Sequence, residues 1–194
     1  MTEEQLSRQG EEIKRLNEEF EASGLRILRA VEMNLSPIGQ GDLDSGFLES
    51  LDLVLGAFHS RLRVTEDQTE RYVAALRNPN LDVLAHPRGR IFNFRLGLQA
   101  DWSRVLACAR DCGRAVEVDG YPDRQDLDVD LLRLARDIGT LISFGSDAHA
   151  PEQIAFLDFS IAAARQIGIP SCQILNCMTT AELLAWTAGH RRSA

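Results

Sequence analysis

Short apolar segments alternate along the chain with longer segments whose apolar residues recur at helical spacing. Strand–helix alternation of this kind requires each strand to return to the same end of a sheet, so neighbouring strands run parallel and helices cover them. The periodicity therefore predicts an α/β fold. Five strands are predicted, over residues 25–35, 51–58, 81–85, 115–118 and 141–144. Helices are predicted over residues 6–20, 65–78, 101–113, 128–139 and 151–168, with a last helix capped by Thr179 or Thr180.

Local signals mark the ends of several of these elements. The stretch Thr65-Glu66-Asp67-Gln68 has the pattern of a capping box, which places the start of a helix there. Gly113 and Gly139 follow helical segments and are typical of their last turns. Pro151 suits the first turn of another helix, and residues 173–175 suggest a last short strand.

The size and charge of the chain exclude several classes of protein. Its 194 residues are enough for one domain with a core of its own. A formal charge of −8 argues against indiscriminate binding to nucleic acid or anionic membranes. No apolar run approaches the roughly 20 residues that span a bilayer, and the acidic N-terminal segment resembles no targeting peptide. The four cysteines lack zinc-finger spacing, so a cytoplasmic protein is predicted.

Histidines and carboxylates stand at the end of every predicted strand. In parallel α/β folds functional residues gather at these carboxyl ends. Any one of them alone is more typical of a hydrogen-bonded loop residue or an ion-pair partner, but their joint occurrence favours a metal site. Imidazole and carboxylate without thiolate suit catalytic zinc or manganese, and iron equally well. The set is Glu32, His59, His86, Glu117, Asp119, Asp147 and His149.

Arginines follow the same strand ends, although the chain as a whole is acidic. A carboxylate can bridge two ions about 3.5–4 Å apart, which lower the pKa of a water and clamp a phosphate during in-line attack. Guanidinium groups match phosphate geometry, although solvated loop arginines are the alternative for each. The residues assigned here to phosphate are Arg61, Arg88, Arg90 and Arg124, with Arg63 and Arg95 nearby.

Two aromatic residues lie between the arginines of one loop. Phe92 and Phe94 stand between Arg90 and Arg95 in the stretch that follows His86. Interleaved arginine and aromatic side chains can stack on nucleobases while holding phosphates. Loop anchors are the other interpretation of such aromatics, and the sequence leaves both open.

Several of these segments together resemble a known family. The combination of "DVLAHP", "SFGSDAH" and the late "ILNCMTTAELLAW" is similar to the PHP (polymerase and histidinol phosphatase) superfamily, in particular to the C-terminal PHP domain of bacterial family X DNA polymerases. Matching segments cover almost the whole chain in order. The resemblance implies a distorted parallel β/α barrel with a trinuclear metal centre. It also implies phosphoester hydrolysis, which in the polymerase members is a manganese-dependent 3'-5' exonuclease and end-processing activity.

The resemblance assigns roles to five residues. Glu32 matches the bridging carboxylate, and His59 and His86 match the imidazoles that join it at one metal. Asp147 and His149 match the closing motif, each reaching one of the other two metals. Metal ligation is thus expected from all five. Catalytic roles are expected of Glu32, His59, His86 and Asp147.

The chain also departs from the family pattern. The family barrel begins with a His-x-His motif, an acidic ligand and a further His, whereas this chain has no His before residue 59. Asp119 and Tyr121 stand where the family usually has Asn. We therefore expect residues 1–194 to form a single, N-terminally truncated PHP domain, a partial barrel lacking its first two strands. Exposed sheet edges would need covering by a second copy, a separate chain or a rearranged N-terminal helix, so a homo-oligomer or a partner is expected.

Two functions remain open. The first is a divalent-metal-dependent phosphoesterase that acts on DNA ends or on a small phosphomonoester. The second is a degenerate PHP module with a structural or protein-interaction role and no catalysis. The retained later ligands favour the first, since buried imidazole and carboxylate are costly unless paired or ligated. The acidic composition and the missing ligands favour the second.

Overall fold

A five-stranded parallel sheet with helices between its strands forms the body of the protein, in a computed structural model that describes residues 2–191. The strands are β1 (Ala30–Asn34), β2 (Leu53–Ala57), β3 (Val83–Leu84), β4 (Ala115–Asp119) and β5 (Leu141–Gly145). The helices are α1 (Glu3–Glu19), α2 (Ser45–Leu48), α3 (Thr69–Leu76), α4 (Trp102–Asp111), α5 (Val129–Ile138), α6 (Leu157–Ile167) and α7 (Thr180–Arg191). The spatial order of the strands follows the chain from β1 to β5, and every neighbouring pair is parallel. The predicted α/β fold, a partial parallel β/α barrel, is confirmed.

The core lies between the sheet and the helices that follow its strands. All five residues of β4 are buried, as expected for a central strand covered on both faces. Val54, Leu84, Val116 and Ile142 from four successive strands are completely buried and belong to one hydrophobic cluster. Helices α3, α4, α5 and α6 contact one another in sequence order. This packing holds the carboxyl ends of the strands side by side.

Helix ends set by local side chains agree with the sequence. Asp101 and Asp128 cap α4 and α5, because their carboxylates accept from the backbone N–H of Arg104 and Leu131 at 3.1 and 3.0 Å. Gly139 ends α5 in the left-handed conformation, with φ of 85°.

Several predicted boundaries differ from the structure, and β1 begins at Ala30 rather than at residue 25. The capping box does not form, because the Asp67 carboxylate accepts from both N–H and Oγ1 of Thr69, where α3 begins. Pro151 does lie in the first turn of a helix, but residues 151–156 form a 3₁₀ helix and α6 starts only at Leu157. No strand forms over residues 173–175, since 3₁₀ turns flank Ile174 and only this residue bridges the sheet, at Ile142.

The sheet is unpaired at its first edge. Among the described strands β1 pairs with β2 alone, in a register that runs from Ala30–Leu53 to Asn34–Ala57.

Within residues 2–191 no helix combines the length and the apolar character that crossing a bilayer requires.

Candidate metal centre

The carboxylate of Glu32 contacts two imidazoles where the first three strands end. Glu32 lies in β1, and His59 and His86 each follow the last residue of β2 and β3 by two positions. Oε1 of Glu32 lies 3.0 Å from Nε2 of His59 and 3.6 Å from Nε2 of His86. The three residues offer donor atoms within 4.8 Å of one another. Two imidazole nitrogens and a carboxylate oxygen at this spacing fit a divalent metal ion. We call Glu32, His59 and His86 the metal triad.

Hydrogen bonds outside the triad orient the His59 ring. Nδ1 of His59 lies 2.6 Å from Oδ1 of Asn34, and Nδ2 of Asn34 donates to Asp42 at 2.6 Å. Because an amide oxygen only accepts, Nδ1 is the donor in this contact, and the ring is turned so that Nε2 faces Glu32. Metal-ligating histidines are oriented by just such a bond from the other ring nitrogen. This arrangement is a second reason why the residues present fit a metal ion.

A buried carboxylate on β4 holds the backbone of His86 in place. His86 has a φ of 25°, an uncommon conformation for a residue with a side chain. Its backbone N–H donates to Oε2 of Glu117 in β4 at 2.6 Å. Burial raises the pKa of Glu117 to about 7, although the charge of His86 opposes the shift. The conformation of His86 is thus tied to the centre of the sheet.

Electrostatic interactions within the triad favour an ionised Glu32 beside a protonated His86. Hydrogen bonds from His59 and then His86 hold the pKa of Glu32 well below its usual range. Burial lowers the pKa of His86, but the bond to Glu32 and the charge of Glu117 outweigh it, so the pKa is raised. The triad therefore holds a carboxylate and positive charge together, and a divalent cation can replace the protons in that role.

The closing motif lies beside the triad without joining its cluster of donor atoms. Asp147 has a φ of 47°, and its carboxylate contacts the guanidinium of Arg124. Arg124 also lies 3.7 Å from Oδ2 of the buried Asp119. The His149 side chain is 68% exposed, and its Nδ1 lies 2.7 Å from the backbone oxygen of Asp147. Both residues nevertheless line the same cavity of about 330 Å³ as the triad.

The predicted phosphate-binding arginines divide between two spaces. Arg124 lines the triad cavity together with Arg95. Arg88 and Arg90 line a neighbouring cleft, and Arg88 is paired with Asp128 at 2.5 Å. Arg61 is exposed two residues after His59 and lines neither space.

Comparison with known proteins gives relatives of two kinds. No protein-family model matches the chain. Over 187 residues it is 33% identical to the DNA polymerase/3'-5' exonuclease PolX of Bacillus subtilis (strain 168), which covers 96% of this chain. Two probable phosphatases are similar as well. That of Thermoanaerobacter sp. (strain X514) is 27% identical over 84% of this chain, and that of Aliivibrio fischeri (strain MJ11) 31% over 79%. The chain belongs to the PHP superfamily.

The PHP chain corresponds to only part of each relative. It spans 32% of PolX, 68% of the Thermoanaerobacter phosphatase and 64% of the Aliivibrio phosphatase. The similarity to PolX therefore concerns one region of a longer protein.

Two residues of this PHP site were missed in the sequence. Asn34 follows Glu32 by two positions on β1, so both side chains point to the same face, and that spacing was the available signal. Asp126 is buried and accepts from the backbone N–H of Arg88 at 2.8 Å. Nothing in its local sequence indicates burial.

Proposed function

We propose that this chain is a divalent-metal-dependent phosphoesterase. The observation that carries the proposal is the metal triad, with its donor atoms within 4.8 Å in a cavity that Arg95 and Arg124 also line. When bound, a divalent cation supplies a lowered pKa for water and positive charge against the phosphoryl oxygens. The names of the relatives, a 3'-5' exonuclease and two probable phosphatases, support phosphoester chemistry.

The residues of the chain divide the work of binding and orientation. Glu32, His59 and His86 hold the ion, while Asn34 and Glu117 fix the two imidazole-bearing residues. Such orienting partners commonly affect metal affinity by about 10–100-fold.

Substrate binding is assigned to the arginines of the cavity. Arg95 and Arg124 bind the phosphate, since guanidinium groups match its oxygens and both reach the triad cavity. Asp147 holds Arg124 in this position through its carboxylate. Asp147 and His149 are also the proposed ligands of a further ion. To bind that ion, the Asp147 carboxylate would give up its contact with Arg124.

The substrate belongs to one of two classes, a DNA 3' end or a small phosphomonoester. The first follows from the similarity to PolX and the second from the similarity to the probable phosphatases. Zinc, manganese and iron all suit two imidazoles and a carboxylate.

One observation favours a second candidate, a PHP module without catalysis. The Asp147 carboxylate is taken up by Arg124 and His149 is largely exposed, so three donors form the only such cluster among the described residues. A site with three ligands and a paired Asp147 can serve as a structural metal site or hold no ion.

Elemental analysis of the purified protein, combined with a hydrolysis assay, separates the two candidates. Chromogenic phosphodiester and phosphomonoester substrates are offered with added manganese. The phosphoesterase requires about one ion or more per chain and turnover of one substrate. Less than about 0.2 ion per chain with no turnover contradicts it, and metal without turnover supports the non-catalytic module.

We also propose that β1 pairs with a second copy or another chain. Its outer edge carries no strand among the described residues, and unpaired strand edges are templates for pairing. Light scattering coupled to gel filtration measures the mass directly. A mass of 21.6 kDa, that of one chain, at all concentrations contradicts self-association.

A further inference from the structure

A short hairpin next to the triad presents two phenyl rings to solvent. Residues 88–96, which we call the aromatic hairpin, are closed by hydrogen bonds between the backbones of Ile91 and Arg95 at 3.0 and 2.8 Å. Asn93 turns the chain at the tip with a φ of 57°. Phe92 and Phe94 on either side of it are 65% and 61% exposed. Two exposed aromatic rings on one tip are unusual, because burial of each would stabilise the fold.

The backbone of the aromatic hairpin is fixed although its rings are exposed. The N–H of Phe92 donates to the backbone oxygen of Asp123 at 2.6 Å, and Nε of Arg90 donates to that of Arg124 at 2.9 Å. Loop anchors bury their rings against the body of the protein. Exposure above half on a fixed backbone instead describes rings held ready for a ligand.

Positive charge surrounds the rings. The guanidinium of Arg63 lies 4.4 Å from the ring centroid of Phe94. The side chains of Arg63, Arg90 and Arg95 bond to backbone carbonyls, and within residues 2–191 none of the three forms an ion pair with a carboxylate. Their charges therefore remain available to an anionic ligand on a chain whose formal charge is −8.

The three charges and the triad cavity form one connected region. Burial lowers the pKa of Arg95, and the charges of Arg124 and Arg63 lower it further, while the charge of Asp126 opposes the shift. The cleft along the aromatic hairpin has a volume of about 600 Å³. Arg95 lines both this cleft and the triad cavity. A ligand seated on the rings thus reaches toward the metal triad along a basic wall.

We propose that the aromatic hairpin is a base-stacking site, in which Phe92 and Phe94 hold unpaired bases of a single-stranded nucleic acid end and nearby arginines hold its phosphates. Every base has a π-face, so stacking accepts any sequence, and arginines beside the rings track the backbone. This inference rests on the proposed phosphoesterase function and names the substrate class of that site. A protein partner is the less favoured occupant, since three guanidinium groups that form no ion pair within residues 2–191 frame the apolar tip.

The test measures oligonucleotide binding without metal. A labelled single-stranded DNA decamer is titrated with the protein in EDTA and followed by fluorescence anisotropy. Replacing both rings (Phe92→Ala with Phe94→Ala) is expected to raise Kd at least about tenfold, because each lost stacked base weakens binding by roughly that factor. Phe20→Ala, which removes a ring 40% exposed at the end of α1, is the matched control and leaves Kd within about twofold.

Two further measurements separate stacking from other causes. Phe92→Trp with Phe94→Trp retains the π-face, so this variant keeps wild-type affinity if the rings stack on bases. A decamer with abasic sites binds the wild type at least about tenfold more weakly and is insensitive to the alanine changes.

Opposite results overturn the inference. A double alanine variant within about twofold of wild type removes the rings from the binding site. Equal losses for normal and abasic decamers remove the bases as their target. Ring-dependent self-association without oligonucleotide binding assigns the tip to a protein partner instead.

Failure of the base-stacking site and failure of the phosphoesterase proposal give different results. Hydrolysis of a chromogenic phosphomonoester by the wild-type protein is measured separately, with manganese. If the protein shows no turnover and no bound metal while decamer binding still depends on the rings, only the phosphoesterase proposal fails. If turnover is present and decamer binding ignores the rings, only the base-stacking site fails.

Discussion

The backbone N–H of His86 donates to the buried carboxylate of Glu117 across 2.6 Å. The bond joins the end of β3 to the middle of β4. A residue of the metal triad is thereby fixed by an acid whose pKa burial raises to about 7. The position of His86 in the triad therefore depends on a buried residue of the neighbouring strand.

Glu117→Ala is expected to destabilise the protein. The change leaves the N–H of His86 buried without an acceptor, at a cost of about 1–3 kcal/mol in the free energy of unfolding. Glu117→Gln keeps an accepting oxygen and is the matched control, with a smaller loss. Urea denaturation measures the stability and a metal titration the affinity. Equal losses in both variants would show that the hydrogen bond to His86 is unimportant.

His86→Ala is expected to abolish metal binding, whereas His149→Ala retains at least one ion. His86 supplies one of three converging donor atoms, while the His149 ring is 68% exposed outside that cluster. Metal content after dialysis against manganese or zinc checks both. An unchanged metal content in His86→Ala removes this residue from the site.

Stability is expected to fall as the pH rises from about 4 to about 6, in part because of Asp126. Burial raises the pKa of Asp126 from 3.8 to about 6. Between these values the unfolded chain has lost the proton and the folded chain retains it, so the free energy of unfolding falls by up to about 1.4 kcal/mol per pH unit.

Asp126→Asn provides the measurement, because the amide keeps the oxygen that accepts from Arg88 and cannot titrate. The loss of stability between about pH 4 and pH 6.5 is expected to be about 2 kcal/mol smaller in the variant. Other buried acids, Glu117 included, contribute equally to both proteins. Parallel curves of stability against pH would show that Asp126 is ionised throughout.

Gly145→Ala is expected to disturb the triad from the opposite side of the sheet. A Cβ at position 145 would collide with Oε1 of Glu117, which holds His86. We expect a loss of about 1–3 kcal/mol and weaker metal binding. Gly189→Ala, in α7, is the control, since a Cβ there meets no atom within 4 Å and helix propensity improves. A Gly145→Ala protein as stable as the control would show that Glu117 moves freely.

Alternation and strand-end chemistry made much of the molecule predictable. The five strands, the caps at Asp101 and Asp128 and the stop at Gly139 depend on residues close in sequence, so local pattern indicates them. Glu32 and the two imidazoles were predictable for another reason: parallel strands bring their carboxyl ends to one edge.

Features that depend on distant partners were not predictable. The Asp147 carboxylate contacts Arg124, a residue of another loop, and no spacing in the sequence indicates that choice. The segment around Ile174 has strand-like residues, but only one of them reaches the sheet. The roles of Asp147, His149 and the arginines as ligands and phosphate contacts remain predictions.

Hydrogen bonds to main-chain oxygens join the aromatic hairpin to the loop that carries Arg124. The backbone N–H of Phe92 and the side chain of Arg90 donate to the backbone oxygens of Asp123 and Arg124, so each loop supports the shape of the other. Anyone transplanting the ring-bearing tip onto a different scaffold must move both loops together. A deletion within either loop is therefore expected to disturb the other.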